Sequence, residues 1–135
     1  TMVFDPKQSI AFTGKTGPYL QYTHARINSI FAKAGDKVSA RADFSLVGTD
    51  DEFNLIKILA KFPTVVQDAV DKYDPSQIAV YLHNLAQQFS LFYESSPILK
   101  SDDKTKKARL LIAYDVKVVL ATGLNLLDID PIEKM

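Results

Sequence analysis

This chain of 135 residues contains no cysteine. It therefore cannot form disulfides, use a thiolate nucleophile or bind zinc through cysteine ligands. No apolar run approaches the roughly 20 residues that a membrane-spanning helix needs. The first residues also lack the charged flank and apolar segment of a signal peptide. We therefore expect a cytoplasmic protein that does not enter a membrane.

Motifs for phosphate binding, metal binding and catalysis are also missing. The sequence has no GxxxxGK[ST] or GxGxxG pattern. Its two histidines, His24 and His83, lie outside any HExxH context, which disfavours a metal site. No carboxylates stand out as an acid/base pair, and we expect Asp115, in a nearly apolar segment, to pair with a cation on a neighbouring helix. The sequence thus predicts no catalytic residues, metal or cofactor in this chain.

Charge is balanced in total but unevenly distributed. Sixteen basic and 16 acidic residues give a net charge of zero, which disfavours a generic nucleic-acid binder. Residues 1–48 nevertheless carry six basic and three acidic groups, whereas residues 49–75 carry six acidic and three basic groups. Such runs are most often solvated faces, so the pattern permits a basic surface without requiring one.

Hydrophobic residues make up 47% of the chain and recur at spacings of three and four, which predicts a globular protein built from helices. We predict five helices in one all-α bundle and no strand. Residues 1–17 should form an irregular lead-in, and residues 18–135 the helical domain. Predicted helix starts are Pro18, Thr49 or Asp50, Pro63, Asp74–Pro75, and Ser101 or Asp102.

Two glycines are predicted to shape the ends of helices. Gly35 should end the first long helix at its C′ position. Gly123 should permit close helix contact near the end of the last helix. The seam of the fourth helix is especially regular, with Ile78, Leu82, Leu85, Phe89 and Phe92 facing the core.

The start of the first long helix, "TGPYLQYTHARI", is rich in side chains that stack or form hydrogen bonds. Tyr19, Gln21, Tyr22, His24 and Arg26 fall within two turns. Two interpretations remain open from the residues alone. The segment is either an ordinary amphipathic surface, with Tyr19 and His24 in structural roles, or a binding site.

Three segments together resemble one family. "TGPYLQYTHARI" resembles the motif that begins the C-terminal anticodon-binding domain (DALR type) of arginyl-tRNA synthetases. "DPSQIAVYLHNLAQQFSLFYESSPIL" is similar to the central helix of that domain, and "ARLLIAYDVKVVLATGLNLLDIDPIEKM" to its last helix and tail. These segments occur in the family's order and cover most of residues 14–135.

The resemblance implies a tRNA-binding module of an ATP-dependent arginine–tRNA ligase of class I. The HIGH-like and KMSKS-like signatures of the catalytic domain are absent, so we expect this chain not to activate arginine by itself. ATP and arginine would bind the catalytic domain of the same polypeptide. Expected partners are that domain and an arginine-accepting tRNA, and we expect a monomer.

Single-stranded RNA loops are recognised by stacking on aromatic or guanidinium planes and by contacts to base edges and phosphates. The aromatic, guanidinium and hydrogen-bonding side chains at the start of the first long helix are of the types that such recognition needs. The resemblance adds the tyrosine of "FYE" and the terminal methionine as loop contacts. The predicted RNA-binding residues are Tyr19, Gln21, Tyr22, His24, Arg26, Asn84, Tyr93, Arg109 and Met135.

The chain departs from the family pattern at three positions. Ser76 replaces a histidine, Glu94 replaces an asparagine beside Tyr93, and Lys134 replaces an arginine before the final methionine. Because a carboxylate repels phosphate, Glu94 alters the contacts expected around Tyr93.

An alternative function, favoured by the zero net charge and the acidic middle segment, is a helical module that binds another protein.

Overall fold

The computed structural model of the chain describes residues 4–9, 16–35, 38 and 41–135. Within these ranges the chain is all-α and contains no strand, as predicted. Five helices have ten or more residues, which confirms the predicted number. The elements in order are α1 (Pro6–Ser9), α2 (Gly17–Ala34), a 3-10 turn (Phe44–Leu46), α3 (Asp50–Ala60), α4 (Phe62–Asp71), α5 (Ser76–Ser95) and α6 (Asp103–Leu126).

Helix α2 begins and ends through local chemistry. The Thr16 side chain accepts a hydrogen bond from the Tyr19 N–H at 3.2 Å, which satisfies one donor of the first turn. Pro18 occupies that turn, where no helical N–H partner is needed. Gly35 follows the last helical residue with φ 66°, a left-handed conformation that favours glycine. The predicted limits of this helix are therefore confirmed to within one residue.

Helix α3 begins with a capping box. The Thr49 hydroxyl accepts the Glu52 N–H, and the Glu52 carboxylate accepts the N–H groups of Thr49 and Gly48. Glu52 is only 1% exposed and also forms an ion pair with Arg109 of α6 at 2.8 Å. Burial opposes ionisation of Glu52, but the three donors outweigh it and lower the pKa of its carboxyl group. This cluster joins the start of α3 to α6.

Predicted details of the lead-in and of the start of α5 differ from the structure. The lead-in is not wholly irregular, because α1 forms at Pro6–Ser9; residues 10–15 lie outside the described ranges. Helix α5 begins at Ser76, one residue later than predicted, because Pro75 takes the capping position. Asp74 still satisfies the first turn by accepting the Ser76 N–H at 3.1 Å.

Helix α5 lies at the centre of the bundle and contacts α2, α3, α4 and α6. The predicted seam is confirmed, since all five of its residues are buried. Gly123 of α6 lies against Leu82 of α5, where a Cβ would come within 2.6 Å of the leucine Cδ2. The predicted close contact at Gly123 is therefore confirmed.

Asp115 does not occupy the place that we predicted. Among the described residues no cation pairs with it. Its carboxylate instead borders an apolar groove beside Phe44 and Phe53, and burial raises its pKa. None of the helices in the described ranges has the length and apolarity to cross a membrane.

Candidate nucleic-acid interface

A groove of about 300 Å³ lies between α2, α5 and the C-terminal end of the chain. It brings together four predicted RNA-binding residues: Tyr22, Arg26, Tyr93 and Met135. Tyr22 is 42% exposed and Met135 is 52% exposed, so both side chains are accessible to a ligand. Residues that are far apart in the sequence thus form one surface.

Arg26 and Tyr93 form the central contact of this groove. The Arg26 guanidinium carbon lies 4.5 Å from the centroid of the Tyr93 ring, which is a cation–π distance. On the core side, the Tyr93 ring stacks against Phe89 at 6.2 Å between ring centroids. Phe89 is fully buried, so it fixes the ring from inside. The Arg26 guanidinium therefore stacks on a Tyr93 ring that Phe89 holds in place.

Two further polar residues of the groove, Ser29 and Lys33, were not predicted. They follow Tyr22 and Arg26 at helical spacing, since positions 22, 26, 29 and 33 share one face of α2. That spacing is visible in the sequence and would have identified them. Lys33 adds a second cation beside Arg26, which gives the groove two positive groups able to contact phosphates.

Gln21 and His24 bind the C-terminal residues of the chain. The Gln21 side-chain amide donates to the Asp130 carbonyl at 3.0 Å. His24 is 1% exposed, and its Nδ1 donates to the Ile132 carbonyl at 2.9 Å. Asn28 was not predicted and donates to the Glu133 carbonyl at 3.3 Å and to its carboxylate at 2.9 Å.

Tyr19 lies on a different part of the helix surface. Its ring is partly buried against the core and stacks on His83 of α5, with 6.3 Å between centroids and an interplanar angle of 5°. It does not line the groove that holds Tyr22 and Arg26. This position fits the structural interpretation of Tyr19 that the sequence left open.

Asn84 and Arg109 lie away from the groove. Asn84 is exposed in a pocket between α3 and α5, beside Lys61 and Tyr81. Arg109 uses its Nε to bind Glu52 and its Nη1 to bind the Pro97 carbonyl at 2.7 Å. These internal bonds use two of the five N–H donors of the guanidinium group. The RNA-binding roles of both residues stay predictions, and the structure gives them separate surroundings.

The groove combines two phenol rings, a guanidinium group, an ammonium group and a hydroxyl group. Aromatic and guanidinium planes stack on unpaired bases, and cations contact phosphates. Among the described residues no group of histidines and carboxylates is arranged to hold a metal ion. The arrangement is therefore suited to binding a flexible nucleic-acid strand.

Residues 20–135 match the model of the DALR anticodon binding domain. The arginine–tRNA ligase of Halothermothrix orenii is 41% identical over 98% of this chain, and the match covers 24% of that protein. The arginine–tRNA ligase of Alkaliphilus metalliredigens is 42% identical over 94% of the chain and 22% of its own length. The chain thus spans about a quarter of the length of these relatives.

Solved structures of arginyl-tRNA synthetases are also similar to this chain. The chain matches Thermus thermophilus arginyl-tRNA synthetase with a TM-score of 0.90 and 34% identity, over 98% of this chain and 23% of that one. It matches the arginyl-tRNA synthetase of Plasmodium falciparum with a TM-score of 0.81 and 27% identity, over 98% and 23%. Two of the three segments that carried the sequence resemblance lie wholly within the matched residues 20–135, and the first segment enters this range at Leu20. The chain therefore belongs to the DALR anticodon binding domain family, which confirms the resemblance found in its sequence.

Proposed function

We propose that this chain recognises the anticodon loop of an arginine-accepting tRNA for an arginine–tRNA ligase. The observation that carries the proposal is the groove in which Tyr22, Arg26, Tyr93 and Met135 meet. A loop base would stack on the planar groups, and Arg26 and Lys33 would contact its phosphates. The similarity to arginine–tRNA ligases over nearly the whole chain supports the choice of tRNA.

Ligation of arginine is proposed as the activity of the whole protein. The catalytic domain of the same polypeptide would bind ATP and arginine, and this chain would contribute recognition of the tRNA. Residues 1–17 would lead into the helical domain formed by residues 18–135. We propose that the protein works in the cytoplasm and that this domain is a monomer.

The test is a titration of the chain at low salt with an arginine-accepting tRNA and with the same tRNA carrying an altered anticodon. We expect the altered tRNA to bind more weakly, because the bases that stack in the groove have changed. The affinity should also fall as salt rises, since phosphate contacts release counterions. Equal affinity for both tRNAs would overturn the proposal of anticodon recognition.

The alternative function is binding to another protein. The exposed side chains Phe44 and Phe53, beside the apolar groove that Asp115 borders, favour this alternative. A protein partner retained by the chain, together with no measurable affinity for tRNA, would support it. Loss of that partner after Phe53→Ser, with unchanged tRNA affinity, would show that the chain carries both functions on separate surfaces.

A further inference from the structure

The C-terminal tail, residues 127–135, reverses direction directly after α6. Asp128 adopts a left-handed conformation with φ 59°. The Ile129 N–H then donates to the Leu124 carbonyl at 2.9 Å, and the Asp128 N–H to the Asn125 carbonyl at 3.1 Å. This pair of bonds is a Schellman motif. Ile129 packs against the core beside it, so the direction in which the tail leaves α6 is fixed.

From that turn the tail runs along α2 and is held by one line of side chains. Gln21, His24 and Asn28 are spaced by three and four residues and therefore share a helix face. Each donates to a successive tail carbonyl: those of Asp130, Ile132 and Glu133. Because the donors and the carbonyls that they bind follow each other in the same order along the chain, the tail runs parallel to α2. We name these three donors the tail ladder.

The tail ladder ends two residues before Met135, which lines the groove with Tyr22, Arg26 and Tyr93. We propose that Gln21, His24 and Asn28 are positioning residues that hold the tail on α2 and so place Met135 in the groove. The effect of this placement on RNA binding rests on the proposed function. It assigns the two predicted RNA-binding residues Gln21 and His24 a role that acts through the tail.

The physical advantage is preorganisation. A tail without fixed contacts samples many conformations, and an RNA that binds it must order it at the expense of affinity. A tail already bonded at three carbonyls presents Met135 with little further loss of entropy. Asn28 is the most informative member, because it is only partly buried and bonds both the carbonyl and the carboxylate of Glu133.

The first experiment measures the position of the tail without RNA. The chain has two methionines, so Met2→Leu leaves the Met135 methyl group as the single methionine methyl signal in an NMR spectrum. We expect a chemical shift displaced by the tyrosine rings of the groove. Asn28→Asp keeps the size of the side chain, removes its donor and repels Glu133. It should move the signal to the value of a flexible chain end.

Substitutions at His24 provide the matched control. His24→Asn keeps an N–H donor close to the place of Nδ1 and should preserve the shifted Met135 signal, whereas His24→Leu fills the buried site without a donor and should lose it. A Met135 signal that is unchanged in both Asn28→Asp and His24→Leu would overturn the proposal. Thermal melts of the same variants show whether a variant loses the shifted Met135 signal because it unfolds. A variant that unfolds is replaced by Gln21→Leu.

The second experiment is a double-mutant cycle with an arginine-accepting tRNA. Asn28→Ala, which removes the donor without adding a negative charge, and a truncation after Ile132 are each expected to weaken binding by about fivefold, roughly the effect of one hydrogen bond. Their combination should be no weaker than the truncation alone, because Asn28 acts only through the tail. Additive losses would overturn the positioning role. If the unaltered chain does not bind tRNA, the proposed function fails, and the NMR result still decides whether the tail ladder positions Met135.

Discussion

The guanidinium of Arg26 on α2 lies 4.5 Å from the centre of the Tyr93 ring on α5. This contact joins two helices that line the groove and fixes the orientation of two planar groups. Phe89 supports the ring from the core. A base that enters the groove therefore meets groups that are already oriented, which reduces the entropy lost on binding.

We expect Tyr22→Ala to weaken tRNA binding by about 1–3 kcal/mol, the value of one base–aromatic stack. Because Tyr22 is 42% exposed, the free energy of unfolding should change by no more than about 0.5 kcal/mol. Tyr22→Phe keeps the ring and should retain most of the affinity. Titrations and urea melts of both variants are the measurements. A grossly unfolded Tyr22→Ala would instead favour a role in core packing.

The helices were predictable because their signals are local. The seam of α5, the cap at Thr49 and the glycine at position 35 each depend on residues within a few positions, and the structure confirms them. Tyr22 and Arg26 could be paired from helical spacing. Tyr93 and Met135 could be joined to them only through the family resemblance, since no local pattern connects α2 to α5 and the tail.

The tail ladder was not predictable from the sequence. Asn28 and Glu133 are separated by 105 positions, and their contact depends on the turn after α6. Asp128 forms that turn with φ 59° in a place where the sequence offers no glycine. Asp115 was mispredicted for a similar reason, because the groove beside Phe44 and Phe53 forms only when the 3-10 turn, α3 and α6 meet.

Gly123→Ala should destabilise the fold. The new Cβ would lie 2.6 Å from Cδ2 and 2.9 Å from Cδ1 of Leu82. Leu82 is fully buried and cannot move aside easily, so we expect a loss of about 1–3 kcal/mol in the free energy of unfolding. Urea denaturation measures this loss. In a Leu82→Ala background the same substitution should cost less, because the conflicting atoms are gone. Equal losses in the two backgrounds would contradict the contact.

Tyr73→Gly should stabilise the chain. Tyr73 follows α4 with φ 51°, and the Asp74 N–H donates to the Ala69 carbonyl at 2.9 Å, so the position resembles the glycine position of a Schellman motif. Its side chain is 95% exposed and contributes little packing. We expect a gain of about 0.5–1 kcal/mol from relief of the left-handed strain. Tyr73→Ala keeps a Cβ and should show no gain. Melts in which both variants have the same stability would contradict this explanation.

Glu52 should make the stability of the fold depend on acid pH. Its folded pKa is lowered below the ordinary value of 4.5, because the hydrogen bonds of Thr49, Gly48 and Arg109 outweigh the opposing effect of burial. The stabilisation is therefore complete above pH 4.5 and is lost as the pH falls through the folded pKa. Glu52→Gln should cost about 2–3 kcal/mol at pH 7, since a partly buried Arg109 loses its charged partner.

The same substitution should flatten the loss of stability below pH 4.5, because the variant no longer has this carboxyl group to protonate. Exposed Glu94 offers a matched control, since Glu94→Gln removes one negative charge without touching a buried pair. Urea melts of the chain and the two variants between pH 7 and pH 3 provide the comparison. If Glu52→Gln kept the acid dependence of the unaltered chain, the stability would not depend on the ion pair between Glu52 and Arg109. The exposed carboxylates that cap the helices, such as Asp74 and Asp102, have lowered pKa values of their own and would then be the source of that dependence.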